Sequence, residues 1–305
     1  MEKVLILGVN GFTGRHFLRF AAKRHLADNF SFCGADITSE QKDPGNVLTE
    51  FHKTDLTSRD AVSGLLKETK PAYIINLAAV LKGETPEEFL SVNAALPLNI
   101  LETAKTFSPD IKKILFIGSS AEYGITDINP VQESCPLKPE GMYGLSKTVQ
   151  ALYADFYFRT QACPVNTARA FNIIGPGISP ALAIGSFLTK VRDTPDGGEL
   201  KLGNLAVSRD YLDIEDVCSA YWAVLLRGKP GRTYNICSGK AVKLKYILEL
   251  IIRESGKRFT IAADPALKTY IPVSSGDNTL LKTDTGWKPE ISIEESVRRA
   301  YQENR

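Results

Sequence analysis

Along the first half of this chain, short and almost wholly apolar runs alternate with longer segments in which apolar and polar residues recur at helical spacing. The runs cover residues 4–8, 32–36, 73–78 and 114–119, and segments such as 16–24 and 89–105 read as helices between them. Strands that alternate with helices predict a parallel sheet joined by crossover helices. Ile114-Leu115-Phe116-Ile117 is apolar at every position, as a strand covered on both faces requires. After about residue 170 the pattern loosens. Gly175-Pro176-Gly177, Asp196-Gly197-Gly198 and Pro230-Gly231 cut it into short pieces, which suits a smaller annex packed on the sheet.

With 305 residues, 43% of them hydrophobic and 24% charged, the chain can build one sizeable core and such an annex. Its formal net charge of +2, with Lys and Arg scattered, gives no reason to expect nucleic acid or an acidic membrane as partner. Five cysteines without a C-x-x-C pair suit reduced thiols better than a disulfide framework. The three histidines, His16, His25 and His52, all fall early, so neither a metal cluster nor a serine hydrolase's late histidine is expected. Met1-Glu2-Lys3 leads directly into the first run, unlike a signal peptide, and no stretch reaches the roughly 18 apolar residues of a membrane span. The expected location is the cytoplasm.

Chemistry enters at the end of the first run, where Gly8-Val9-Asn10-Gly11-Phe12-Thr13-Gly14 separates a strand from a helix. Glycines in such a turn let the backbone approach a pyrophosphate resting on the helix N-terminus. Asp36 closes the second run 22 positions after Gly14, near where a carboxylate meets the adenosine ribose hydroxyls. A carboxylate there repels a 2′-phosphate, so NAD(H) is expected in preference to NADP(H). Asp55 and Leu56 would flank the adenine, and Leu77, Ala78 and Ala79, after a strand, would line the middle of the cofactor.

Tyr143 and Lys147 lie four apart on a helical pattern that runs through Thr160. A free tyrosine titrates at about 10; a neighbouring ammonium would stabilise the phenolate and let Tyr143 exchange a proton near neutrality. Upstream, the run 114–117 leads into Gly118-Ser119-Ser120-Ala121-Glu122-Tyr123-Gly124, placing hydroxyls at the carboxyl end of a strand, where open α/β sheets bind ligands. Either Ser119 or Ser120 could hold a substrate oxygen, with Ser119 preferred.

As an ordered set these residues resemble the extended short-chain dehydrogenase/reductases, the NAD-dependent epimerase/dehydratase family. The set also includes Arg169-Ala170-Phe171-Asn172, Gly175-Pro176-Gly177 and Gly286-Trp287-Lys288-Pro289. The resemblance implies an α/β fold: a Rossmann-type doubly wound parallel sheet over residues 1–170 and a smaller C-terminal α/β substrate-binding annex over 171–305, with some chain crossing back. It implies cofactor contacts at Gly8, Gly11, Phe12, Thr13, Gly14, Asn93, Tyr143 and Lys147, and a homodimer built on a four-helix bundle from segments 89–104 and 148–159.

Within the family, Leu202-Gly203-Asn204-Leu205 followed by Ser208-Arg209-Asp210 is similar to a segment of enzymes acting on GDP-linked hexoses. That likeness implies substrate contacts at Glu122, Asn172, Asn204 and Arg209, the last a guanidinium suited to phosphates. Lys268 would stand in for an arginine missing from the usual late segment. Counted from Ser119, the place of a dehydratase's carboxylate is Ala121, with Glu122 one further, although counting from Ser120 would restore the spacing. The expected reaction is hydride reduction of a nucleotide-diphospho-4-keto-6-deoxy sugar, GDP-linked for preference. A nucleotide-sugar 4-epimerase, then a GDP-mannose 4,6-dehydratase, then a non-enzymatic NAD-binding scaffold are the rivals.

Overall fold

The expected apolar runs become strands, each a little shifted. In the computed structural model, which describes residues 1–39, 43–263 and 272–303, the chain forms β1 (Glu2–Leu7), β2 (Phe30–Asp36), β3 (Leu48–Lys53), β4 (Tyr73–Asn76), β5 (Lys113–Ser119) and β6 (Val165–Ala170). Then come β7 (Asn172–Ile174), β8 (Glu199–Leu202), β9 (Ser208–Asp213), β10 (Thr233–Ile236), β11 (Ala241–Lys243), β12 (Thr260–Ala263) and β13 (Val273–Ser274). The helices are α1 (Phe12–Lys23), α2 (Arg59–Thr69), α3 (Pro86–Leu90), α4 (Leu96–Phe107), α5 (Met142–Gln161), α6 (Ala183–Asp193), α7 (Ile214–Arg227), α8 (Leu244–Ser255), α9 (Thr279–Thr285) and α10 (Ile293–Gln302).

Seven strands make one parallel sheet in the order β10-β6-β5-β4-β1-β2-β3. Because the strands are covered on both faces, alternate residues serve opposite cores. Val4, Ile6, Ile75 and Leu115 meet Phe17 and Leu18 of α1 and Val217 and Tyr221 of α7. Leu5, Leu7, Ile74 and Phe116 meet Leu66 of α2, Leu101 of α4 and Ala154 of α5. A third core, with Leu188, Leu200, Tyr211, Ile247, Leu248 and Val297, belongs to the annex.

The chain first builds outward through β2 and β3, then jumps back across β1 to β4 and builds the other way. The loops leaving β1 and β4 therefore diverge, opening a crevice at the carboxyl ends of these strands. The boundary expected at residue 170 is crossed by structure: α7 and β10 come from beyond it, yet α7 packs in the main core and β10 is the sheet's edge strand. The helix expected over 89–105 is divided, with α3 and α4 joined by a π-helical turn, Ser91–Ala95.

Gly14 and Gly64 offer a test of packing. A Cβ on Gly14 would stand 2.2 Å from the Val9 carbonyl oxygen, whereas one on Gly64, in α2, would meet nothing within 4 Å. Gly14→Ala should cost about 2 kcal/mol or more. Gly64→Ala, on an exposed helix position, should gain about 0.5–1 kcal/mol. Urea unfolding midpoints at unchanged slope would measure both.

Candidate active site

The glycine-rich turn fits between two strand ends because its first and last glycines have no room for side chains. Gly8 takes φ +75°, and a Cβ on it would lie 2.6 Å from the Ala78 amide nitrogen. α1 then starts at Phe12 with Gly11 as its cap and no side-chain cap, leaving its first-turn N–H groups for a ligand. Asp36 stands beside this turn: Oδ2 accepts the Asn10 N–H at 2.9 Å and Oδ1 accepts the Thr38 N–H at 3.2 Å. These features together fit a dinucleotide, with a backbone cradle for the diphosphate and a carboxylate at the neighbouring strand end.

The other residues expected at the cofactor divide. Leu77 and Ala78 line the loop against Gly8, and Ala79 is exposed. Asp55 is exposed and accepts the Thr57 N–H at 2.9 Å, while Leu56 is buried beneath it. Thr13 is partly buried in the first turn of α1. Phe12 turns its ring toward the annex, near Gly175, and edges onto His16. Asn93 is fully buried. It accepts the Val80 N–H at 2.9 Å and donates to the Val80 carbonyl at 2.8 Å and to the Ser146 hydroxyl at 3.0 Å. Asn93, expected at the cofactor, ties the loop after β4 to α5.

At the end of β5 the Ser119 side chain acts on the Tyr143 phenol, whereas Ser120 opens the following short turn, Ser120–Glu122. Lys147 is 1% exposed and lies within hydrogen-bond range of Gln150, whose Nε2 donates to the Ile117 carbonyl at 3.0 Å. Burial brings the Lys147 ammonium down to about 8, with the Glu122 charge opposing. Burial also raises the Tyr143 phenol, opposed by the Ser119 bond and reinforced by Glu122. The lowering of Tyr143 expected from Lys147 is not found: burial raises the phenol, and the opposing influence is that of Ser119.

Glu122 also departs from expectation. It is fully buried, its Oε2 accepting Arg169 Nε–H at 2.6 Å and its Oε1 accepting the Ser119 N–H at 2.7 Å. A side chain so placed has both carboxylate oxygens held by protein groups. Arg169 in turn donates to the Tyr123 hydroxyl at 3.1 Å, and Tyr123 donates to Asn235 at 2.7 Å. The clue to this network was a lone arginine in the otherwise uncharged β6.

In the annex, β9 pairs with β7, bringing Arg209 near Asn172, whose Nδ2 donates to the Asp210 carbonyl at 2.9 Å. Asn204 accepts the Ala206 N–H at 2.8 Å. Arg209 is half-buried and donates to the Ser208 carbonyl at 2.8 Å; among the described residues it has no carboxylate partner. The two nearest in sequence are engaged elsewhere. Asp210 accepts N–H groups of Ser238, Gly239 and Gly276, and Asp213 caps α7 and faces Arg299 at 3.5 Å. Asp210, which clamps two turns together, was not foreseen. Lys268 lies outside the described residues.

Two features elsewhere are not part of this arrangement. A cavity lined by Lys67, Pro71, Phe107 and Asp110 lies at the amino ends of the strands, opposite the crevice. Cys33, Glu50 and His52 lie close together, but Lys3 already pairs with Glu50 at 2.8 Å and burial pushes the Cys33 thiol up to about 12.

Comparison with known proteins gives consistent findings. The chain matches the NAD dependent epimerase/dehydratase family over residues 4–237. It is 31% identical to a GDP-6-deoxy-D-mannose reductase of Pseudomonas aeruginosa, over 97% of this chain and 95% of that protein. The solved structure of RMD from Pseudomonas aeruginosa complexed with NADPH is similar with a TM-score of 0.84 and 27% identity, covering 99% of this chain and 98% of that one. A putative epimerase from Burkholderia cenocepacia gives 0.87 and 26%, covering 99% and 97%.

The depressed Lys147 has a consequence for stability. Its folded value, about 8, lies below the ordinary 10.5, so below pH 8 the fold carries the cost of a buried ammonium. Between pH 8 and 10.5 the folded protein gives up this proton first and the cost is relieved. Lys147→Met should therefore be more stable at pH 7, by about 3 kcal/mol, and its advantage should shrink as pH rises through that window. Urea titrations of the protein without cofactor, at neutral and alkaline pH, would read this.

Proposed function

Because this chain belongs to the NAD dependent epimerase/dehydratase family, we propose that it reduces the 4-keto group of a nucleotide-diphospho-4-keto-6-deoxy sugar. The preferred substrate is GDP-4-keto-6-deoxy-D-mannose, giving GDP-D-rhamnose or its 4-epimer. The observation that carries this reading is the meeting of Ser119 and Tyr143 at the end of β5, with Lys147 one turn along α5. The likeness to the Pseudomonas reductase supports the substrate class.

NADH, when bound, supplies the hydride to carbon 4. Ser119 holds the carbonyl oxygen, and Tyr143 gives its proton to the alkoxide that forms. A phenol held protonated by burial suits that donor role. Lys147 holds the nicotinamide ribose and returns a proton to Tyr143. Arg209, without a carboxylate partner among the described residues, and Asn172 receive the diphosphate. Ala121, where a dehydratase would need an acid, disfavours water elimination.

Asp36 favours NADH over NADPH, although the Pseudomonas neighbour was solved with NADPH. Leu145, Leu152 and Phe156 are 42%, 58% and 49% exposed on α5. They share a face that suits pairing with a second copy through the proposed four-helix bundle. Among the described residues no helix is long and apolar enough to cross a membrane, and all five cysteines are free; we place the protein in the cytoplasm.

Absorbance of NADH, followed with GDP-4-keto-6-deoxy-D-mannose, should show stoichiometric loss that drops at least about a hundredfold in Tyr143→Phe. Retained NAD with no net NADH loss would instead indicate a 4-epimerase. Asp36→Ala should narrow or reverse the preference for NADH in kcat/KM. Sedimentation should give a dimer, and Leu152→Glu with Phe156→Glu a monomer.

A further inference from the structure

The proposed reaction leaves Glu122 without a use, although three features tie it to the chemistry from behind. Its Oε1 takes the Ser119 N–H at 2.7 Å, while the Ser119 hydroxyl takes the Ala121 N–H at 3.2 Å, so serine and glutamate fix one another. Its Oε2 is held by Arg169 at 2.6 Å. Gly118 makes the path for it, since a Cβ there would stand 2.4 Å from Oε1. The charged and titratable groups facing Glu122 are Arg169 from β6, Lys147 and Tyr143 from α5 and the adjacent Tyr123; Glu133, from the loop before α5, lies beside Arg169 and Tyr123.

A buried ion pair adds little net stability compared with apolar residues of the same volume. Its effect is to be sought in what it holds. We propose that Glu122 is a positioning residue for the reduction: its carboxylate, held by Arg169, pins the Ser119 amide from behind and places a buried negative charge beside Lys147 and Tyr143. The inference rests on the reduction proposed above. In support, the Glu122 charge opposes the effect of burial on Lys147 and adds to it on Tyr143.

Two substitutions separate the two actions. Glu122→Gln keeps an acceptor for Ser119 but removes the charge; Glu122→Asp keeps the charge, and with it a partner for Arg169, but withdraws from Ser119. In protein labelled with 13C at tyrosine Cζ, the Tyr143 signal is identified by its absence from Tyr143→Phe. In Glu122→Gln it should titrate about one unit lower than in the wild type, and the alkaline limb of kcat should move with it. In Glu122→Asp the titration should stay near that of the wild type. There the Ser119 amide should exchange about tenfold faster and kcat should fall about tenfold at unchanged KM.

Unshifted titration in a folded Glu122→Gln protein, or wild-type exchange at Ser119 in Glu122→Asp, would overturn the proposal. If Glu122→Gln does not fold, the exchange rate in Glu122→Asp decides. Titration and exchange need no substrate. Were the wild type to leave the ketosugar untouched, the reduction would fail as a reading, while the shifts in Tyr143 and Ser119 would still support the placement by Glu122.

Discussion

The crevice between β1 and β4 exists because the sheet is parallel and its order reverses there. Every strand end that carries chemistry points the same way, and the two loops leaving the reversal separate instead of covering each other. Into this gap comes the glycine-rich turn, brought so close to the loop after β4 that Gly8 has no space for a side chain against Ala78. Asn93 secures that same loop to α5. The glycine-rich turn and α5 are thus linked through a buried amide.

The site also concentrates costly groups. Lys147, Glu122 and Arg169 are each nearly or fully buried, and desolvation opposes the charge on all three. A fold selected for stability alone would place apolar side chains at these positions. The surrounding sheet, with apolar cores on both faces, supplies the stability that lets these groups remain buried. In the annex the cost is met differently: Asp210, also buried, is satisfied by three backbone N–H groups and the Ser238 hydroxyl, and so fixes the turns beside Arg209.

Much of the architecture was legible in the chain because it depends on local chemistry. Apolar runs such as 114–117 demand two covered faces, glycines at 8, 11 and 14 permit a tight strand-to-helix turn, and a spacing of four on a helix aligns Tyr143 with Lys147. These properties follow from backbone sterics and helical or strand period. They do not depend on distant contacts, and so the parallel sheet, the turn and the shared face of Tyr143 and Lys147 could be read directly.

Only the tertiary structure decided where charges point and what they feel. Glu122 sits one residue from an expected carboxylate position, yet the turn after Ser119 rotates it inward to meet Arg169 from β6, 47 positions away. Arg209 has two aspartates near it in sequence, but both are drawn off by partners from the turn after β10, from α7 and from α10. The direction of the Tyr143 shift depends on how completely later segments exclude water around it. The sequence alone determined the scaffold and the kinds of group it carries. Their orientation and ionisation arise from burial and long-range pairing, which exist only once the chain has closed on itself.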